Sequence, residues 1–337
     1  MAKDEDVLDL HDIGLLLNYE RVTTEPRFRH SKLRELIRPG EIPQTVVLAK
    51  VWDDNTRPRT TFIFDRSPQH ASKLDLTGPP DLPTNMLPID LGANDRLNSL
   101  AAKELETIFW QARGHDGCYK SVTLLQHFFD MYPASTLIRI RHGPKDSRGK
   151  VPGETHVTTL DRRVILEMTL AKPRHCVMSS VCPENKTYIS GESSIMVHAV
   201  VGFAPLDVQN MTSVIDLSSM QFGDIGRGPG SKGQGLLALD TMDEFYDRMD
   251  KVAHGNVDGE SKTSQRIGPC TDDNWLKEVA QKAKLRWERK ESEKWCGHCG
   301  GPLPDTKACS GCHKAWYCNS EHQKSAWSFH KHYCSMN

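Results

Sequence analysis

The 337-residue chain has no long apolar run: no stretch approaches the roughly 20 consecutive apolar residues needed to cross a bilayer. It has no surplus of either charge, with 43 Lys and Arg against 44 Asp and Glu. A net charge of -1 gives no global field toward nucleic acid or an anionic surface, so neither is expected as a partner. The opening MAKDEDVLDLHDIGLLLNYE lacks the basic start and unbroken apolar core of a secretory leader. Apolar residues are lean at 37%, enough for one ordinary core with polar connections. These absences predict a soluble, intracellular chain, cytoplasmic or nuclear, whose thiols stay reduced. In that setting clustered cysteines are metal ligands before they are disulfides.

The chain is rich in cysteine at one end. Six of its ten cysteines follow position 295. Cys296 and Cys299 form CGHC, Cys309 and Cys312 form CSGC, and Cys318 with His322 and His330 with Cys334 follow at i, i+4. A CxxC turn lets two thiolates converge on one ion, and i, i+4 spacing places two donors on one helix face. Eight such donors suffice for two closed tetrahedral zinc sites, and Glu321, Gln323, Lys324 and Ala326 favour a helix over 321–333. Spacing alone leaves the pairing of the four donor pairs open.

The full pattern C-x2-C-x9-C-x2-C-x5-C-x3-HQ-x3-W-x2-H-x3-C resembles the MYND-type zinc finger, including Tyr317, Gln323 and Trp327. That resemblance spans 296–334. It implies interleaved ligation, with Cys296, Cys299, Cys318 and His322 on one zinc ion and Cys309, Cys312, His330 and Cys334 on a second. It also implies a protein-interaction module that holds short proline-containing peptides. His298, His313 and His332 are left over and are expected at the surface. Trp316 and Trp327 are candidate partner anchors, although so small a finger needs aromatics for its own core, Trp327 foremost. A MYND-containing lysine methyltransferase fits poorly, because no NHSC-like segment is present.

Ahead of the finger, 273–295 combines Lys, Glu, Ala and Arg with Trp275, Val279 and Leu285 at helical spacing, predicting a connecting helix over 275–295. The polar segment 254–274 reads as a linker, and Cys270 within it as an incidental thiol. Residues 1–253 read as an α+β domain with a largely antiparallel sheet. TVVLAKVW and TFIFD, within 42–65, predict two strands, 66–95 an irregular proline-bearing connection, and 97–113 and 118–132 two helices. TLIRIRHG, RVILEMTL, HCVMSSVC, SIMVHAVVGFA and SVIDLSS predict strands, with Cys176 and Cys182 as core thiols, and MDEFYDRM predicts a short helix. The glycine-rich 223–235 meets neither phosphate-loop pattern and reads as a mobile loop.

Within this domain the order of three residues carries chemistry. Cys118 starts a predicted helix after Gly117, a place that favours thiolates. His198 and Asp216 lie on successive predicted strands. Nucleophile, base and orienting carboxylate in that order are what a Cys–His–Asp triad requires. The order resembles papain-like and transglutaminase-like cysteine enzymes, although Cys118 is followed by Tyr-Lys-Ser. Gln111 is a candidate oxyanion donor, and Gln221 a candidate support for the Asp strand. The alternative is a buried thiol, a sheet histidine bonded to backbone and a turn-capping Asp. The sequence thus predicts a zinc-binding interaction adaptor, or else a cysteine hydrolase or acyltransferase targeted by its finger.

Overall fold

The computed structural model describes residues 7–41, 57–70, 78–88, 95–142, 155–184, 186–230, 232–257, 261–302 and 307–334. Of the strands expected in 42–65, TFIFD lies within Arg59–Asp65, whereas TVVLAKVW lies outside the described residues.

Helix α1 (Leu10–Thr23) begins where the Asp9 carboxylate accepts from the Asp12 amide at 3.2 Å. Almost every residue in it is buried, as a helix enclosed on all sides requires. Helices α2 (Ala102–Gly114) and α3 (Cys118–Phe129) flank the glycine-bearing break, so Cys118 is the first residue of its helix. Helix α4 (Met242–Val252) is closed by a capping box between Thr241 and Glu244. Helix α5 (Asp273–Glu288) precedes the finger, and α6 (Ser320–His330) starts where Asn319 caps the His322 amide at 2.8 Å.

Three sheets organise the body. A five-stranded antiparallel sheet runs in the order Ala238–Thr241, Ser213–Asp216, Ile195–Phe203, Arg163–Ala171 and Lys262–Ser264. A four-stranded sheet orders Lys32–Ile37, Arg59–Asp65, Cys176–Cys182 and Lys186–Ser190, with its central pair parallel. A small third sheet joins Leu8–Asp9, Leu137–Arg141 and Thr155–Thr159.

Side-chain alternation along the five-stranded sheet separates two cores. Ile165, Ala199, Val201, Phe203 and Ile215 share a core with α1, α3 and α5. Leu166, Met168, Val200 and Val214 pack with Phe245, Met249 and Val252 of α4. Helix α2 buries Leu105, Ile108, Phe109 and Ala112 with Phe62 and Phe64 of the four-stranded sheet.

Three segments differ from their sequence-based expectations. The helix expected as a connector buries Trp275, Leu276, Val279, Ala280 and Ala283 in the main core, and Lys262–Ser264 of the expected linker is an edge strand. Aromatic and small residues recurring at helical spacing form a stripe that must be buried, and α1 and α3 supply the partner surface. The glycine segment is also packed: residues 226–230 are buried, and a Cβ on Gly228 would lie 2.5 Å from the Ala238 Cα. Glycine stands there to permit close backbone approach. Among the described residues no helix is long and apolar enough to cross a membrane.

Candidate functional site

The chain end folds around two donor clusters. Cys296, Cys299, Cys318 and His322 form one, and Cys309, Cys312, His330 and Cys334 the other, with the donor atoms of each within 4.8 Å of one another. In the first, Cys296 Sγ is 3.3 Å from His322 Nδ1 and Cys299 Sγ 3.7 Å from Cys318 Sγ. In the second, Cys309 Sγ is 3.9 Å from Cys334 Sγ and Cys312 Sγ 3.4 Å from His330 Nε2. A tetrahedral ion with Zn–S bonds of about 2.3 Å holds its sulfurs about 3.8 Å apart, so both clusters fit zinc. Each takes one CxxC pair and one i, i+4 pair, in interleaved order.

Short elements aim these donors. The strands Lys307–Ala308 and Trp316–Tyr317 pair as a ribbon, and α6 contributes His322 and His330. Tyr317 is buried between the clusters, whereas Trp327 is 46% exposed and lies beside the His330 ring at 5.9 Å between centroids. The expectation that Trp327 packs in the finger core is therefore corrected. Ala326 and Phe329 are the buried residues of that helix.

The finger is docked on the body. His11 of α1 stacks on Phe329 at 4.0 Å, Arg286 of α5 donates to the Gly300 carbonyl at 2.9 Å, and the Tyr333 hydroxyl donates to the His142 carbonyl. His298, expected at the surface, is 2% exposed, with Nε2 3.0 Å from Glu106 Oε1. His332 is half-buried, and only His313 of the three leftover histidines is exposed. The sequence signal for Glu106 was its place three residues before Phe109 and four before Trp110, on the apolar side of α2. Its carboxyl is held below the usual range: burial opposes ionisation, but His298, Arg227 and His322 outweigh it.

In the body, the three residues singled out by order come together. His198 Nε2 lies 2.8 Å from Asp216 Oδ2, and the Cys118 thiol lies close enough to act on the His198 ring electrostatically. Cys118 also points to the Val197 carbonyl, 3.9 Å away. All three residues are about 98% buried or more. Asp216 Oδ1 accepts from the amide and hydroxyl of Ser218, each at 2.9 Å, which leaves Oδ2 for the histidine. Burial works against charge on His198, but Asp216 and then Cys118 outweigh it and raise the ring pKa to about 10. Asp216 is held below the usual carboxylate range, burial being overcome by His198 and Ser218.

The two glutamines divide differently than expected. Gln221 Nε2 is 3.3 Å from His198 Nδ1, whereas the Gln111 amide donates to the Gln221 carbonyl at 3.5 Å. Gln221 therefore supports the histidine directly, and Gln111 supports Gln221. A protonated His198 donates from both ring nitrogens, so the Gln221 amide then presents its oxygen to Nδ1.

Sequence order gave no indication of Arg21, which is 1% exposed behind this cluster and donates to Asn18 Oδ1 and the Leu217 carbonyl, both at 3.0 Å. Burial lowers its pKa to about 10, while Glu25 and Asp216 oppose the loss of charge. Beside the start of α3 a cavity of about 710 Å3 opens between Arg27, Tyr119, Lys120, Tyr188 and Trp275.

Two interleaved Cys/His clusters on a small ribbon and helix, docked to an α+β body, define a zinc-finger protein. Residues 296–334 match the MYND finger family. No curated protein and no solved structure matches the chain. The match bears out the resemblance read from the spacing of the cysteines and histidines. MYND fingers are in general protein-interaction modules.

Proposed function

We propose that the chain binds two zinc ions, one per cluster, and serves as an adaptor that takes short proline-containing segments of a protein partner at its finger. The observation that carries this is a groove of about 300 Å3 between finger and body, bordered by Trp295, Trp316, Tyr333, Lys294 and Lys314. Preformed extended segments dock on aromatic-lined grooves because they lose little entropy on binding. The exposed indole of Trp327 adds an apolar contact outside the groove. A net charge of -1 favours a protein partner over nucleic acid, and six reduced thiols suit an intracellular setting.

Native mass measurement should find two zinc ions per chain, and one in Cys309→Ala with the body still folded. Binding of a proline-rich peptide library should weaken about tenfold or more in Trp316→Ala and vanish on chelation. A chain that binds no such peptide, or binds equally well without zinc, would sink the adaptor proposal.

A second function is favoured by the 2.8 Å His198–Asp216 contact beside Cys118. In it the body is a cysteine hydrolase or acyltransferase. Cys118 attacks an acyl carbon as a thiolate, His198 passes the proton to the leaving group, and Asp216 holds the ring. An acyl-directed electrophilic probe should then attach at Cys118 and fail to attach in His198→Ala. Equal attachment in both proteins would rule this activity out.

A further inference from the structure

The MYND match begins at Cys296, yet one contact to its first donor cluster comes from far outside it. His322 presents Nδ1 to Cys296 Sγ at 3.3 Å, inside the four-donor cluster. The opposite ring nitrogen, Nε2, lies 3.6 Å from Glu106 Oε1, a carboxylate on α2 of the body. At that length the contact is electrostatic rather than a formed hydrogen bond, the Nε2 side of the ring facing the carboxylate.

Glu106 is itself tightly held. Its Oε1 takes the His298 Nε2 contact at 3.0 Å, and its Oε2 accepts from Arg227 Nη2 at 3.2 Å. Arg227 is fixed in turn by Asp224 at 2.9 Å and by the Gln234 carbonyl at 3.0 Å. Residue and anchor are both about nine-tenths buried or more. The His298 and His322 rings sit 4.8 Å apart between centroids, so the carboxylate faces both imidazoles. Among the described residues, His330 of the second cluster makes no ion pair with a carboxylate.

A histidine that binds a metal through one nitrogen is oriented by what the other nitrogen meets, and a carboxylate there also strengthens the ring as a donor. We infer that Glu106 is a positioning residue for the first zinc site, keeping His322 turned with Nδ1 toward the ion, so that a carboxylate of the body completes that site. This rests on the two-zinc proposal above. It gives the sites unequal dependence on Glu106: the first senses the placement of α2, whereas the second meets the body at His11 and His142 instead.

The test uses the full chain loaded with zinc and titrated with a chromophoric chelator. Cys309→Ala isolates the ion of the first site, and His322→Ala that of the second. In the Cys309→Ala background, Glu106→Gln should weaken zinc binding about tenfold, the lower end for outer partners of metal-bound histidines. In the His322→Ala background the same change should leave affinity as it was. Glu106→Asp, which keeps the charge but draws it back, gives the same comparison if the Gln variant does not fold. Unchanged affinity at the first site, with two ions in the wild-type chain, would overturn this inference alone. Equal weakening at both sites would show that Glu106 merely docks the finger, and would also overturn it. A wild-type chain without an ion at the first site would overturn the two-zinc proposal and this inference together.

Discussion

His198 Nε2 meets Asp216 Oδ2 at 2.8 Å with both side chains 1% exposed, and the pair gives folding a definite pH dependence. The ring pKa rises from 6.5 to about 10 in the folded chain, as Asp216 overcomes the cost of burial. A raised folded pKa contributes stability in full below pH 6.5; that contribution declines as pH rises and is lost above about 10. Urea midpoints should therefore fall between pH 6.5 and pH 10, and fall less in His198→Gln. Asp216→Asn leaves a buried ring without its counter-charge and should cost about 3–5 kcal/mol at neutral pH. Midpoints that track the wild type in both variants would refute the pairing as a source of stability.

Cys118 differs from Cys176 and Cys270 in lying beside an imidazole, that of His198. Cys176 donates to the Gly191 carbonyl at 3.0 Å, and Cys270 to the Thr271 carbonyl at 3.3 Å, neither of which activates sulfur. A small alkylating agent should modify Cys118 ahead of both, with finger thiols shielded by zinc, and His198→Ala should slow it several-fold. Mass-mapped labelling provides the check. Cys118 reacting no faster than Cys176 would remove the nucleophile assignment.

Trp275 tests how firmly the segment before the finger belongs to the body. It is 1% exposed, and its indole donates to Thr24 Oγ1 at 3.1 Å. Trp275→Ala should destabilise the body by about 3–5 kcal/mol, the cost of emptying a large core site. Chain nicked by protease within 254–274 should run as two fragments under denaturing conditions yet elute as one species natively. Fragments that part without denaturant would show that the helix is a tether.

Gly300 joins the first CxxC turn to α1. Its φ is +77°, and a Cβ there would lie 2.2 Å from the Leu15 carbonyl oxygen. Gly300→Ala should cost about 1 kcal/mol or more and speed amide exchange along α1, because turn and helix must separate. Exchange rates like those of the wild type would disprove the docking.

The eight donors were legible because thiol and imidazole spacing within a short segment is set by the ion they must surround. The order Cys118, His198, Asp216 was legible too, since Gly114 and Gly117 mark the start of a helix and β-branched runs mark strands. Trp327 misled because aromatic content says only that some ring is buried; in the structure Tyr317 and Phe329 fill that role. The glycines of 226–230 misled because close packing and mobility select the same residue.

By itself the sequence determined the α+β class, the eight cysteines and histidines that cluster in two sets and the position of Cys118 at a helix start, all set by periodicity and local spacing. Only the tertiary structure decided that α5 is core, that Asp216 turns Oδ2 to His198, and that Glu106 faces His322. Those relationships join segments far apart in the chain, where contact depends on how helices and sheets pack rather than on any spacing along it.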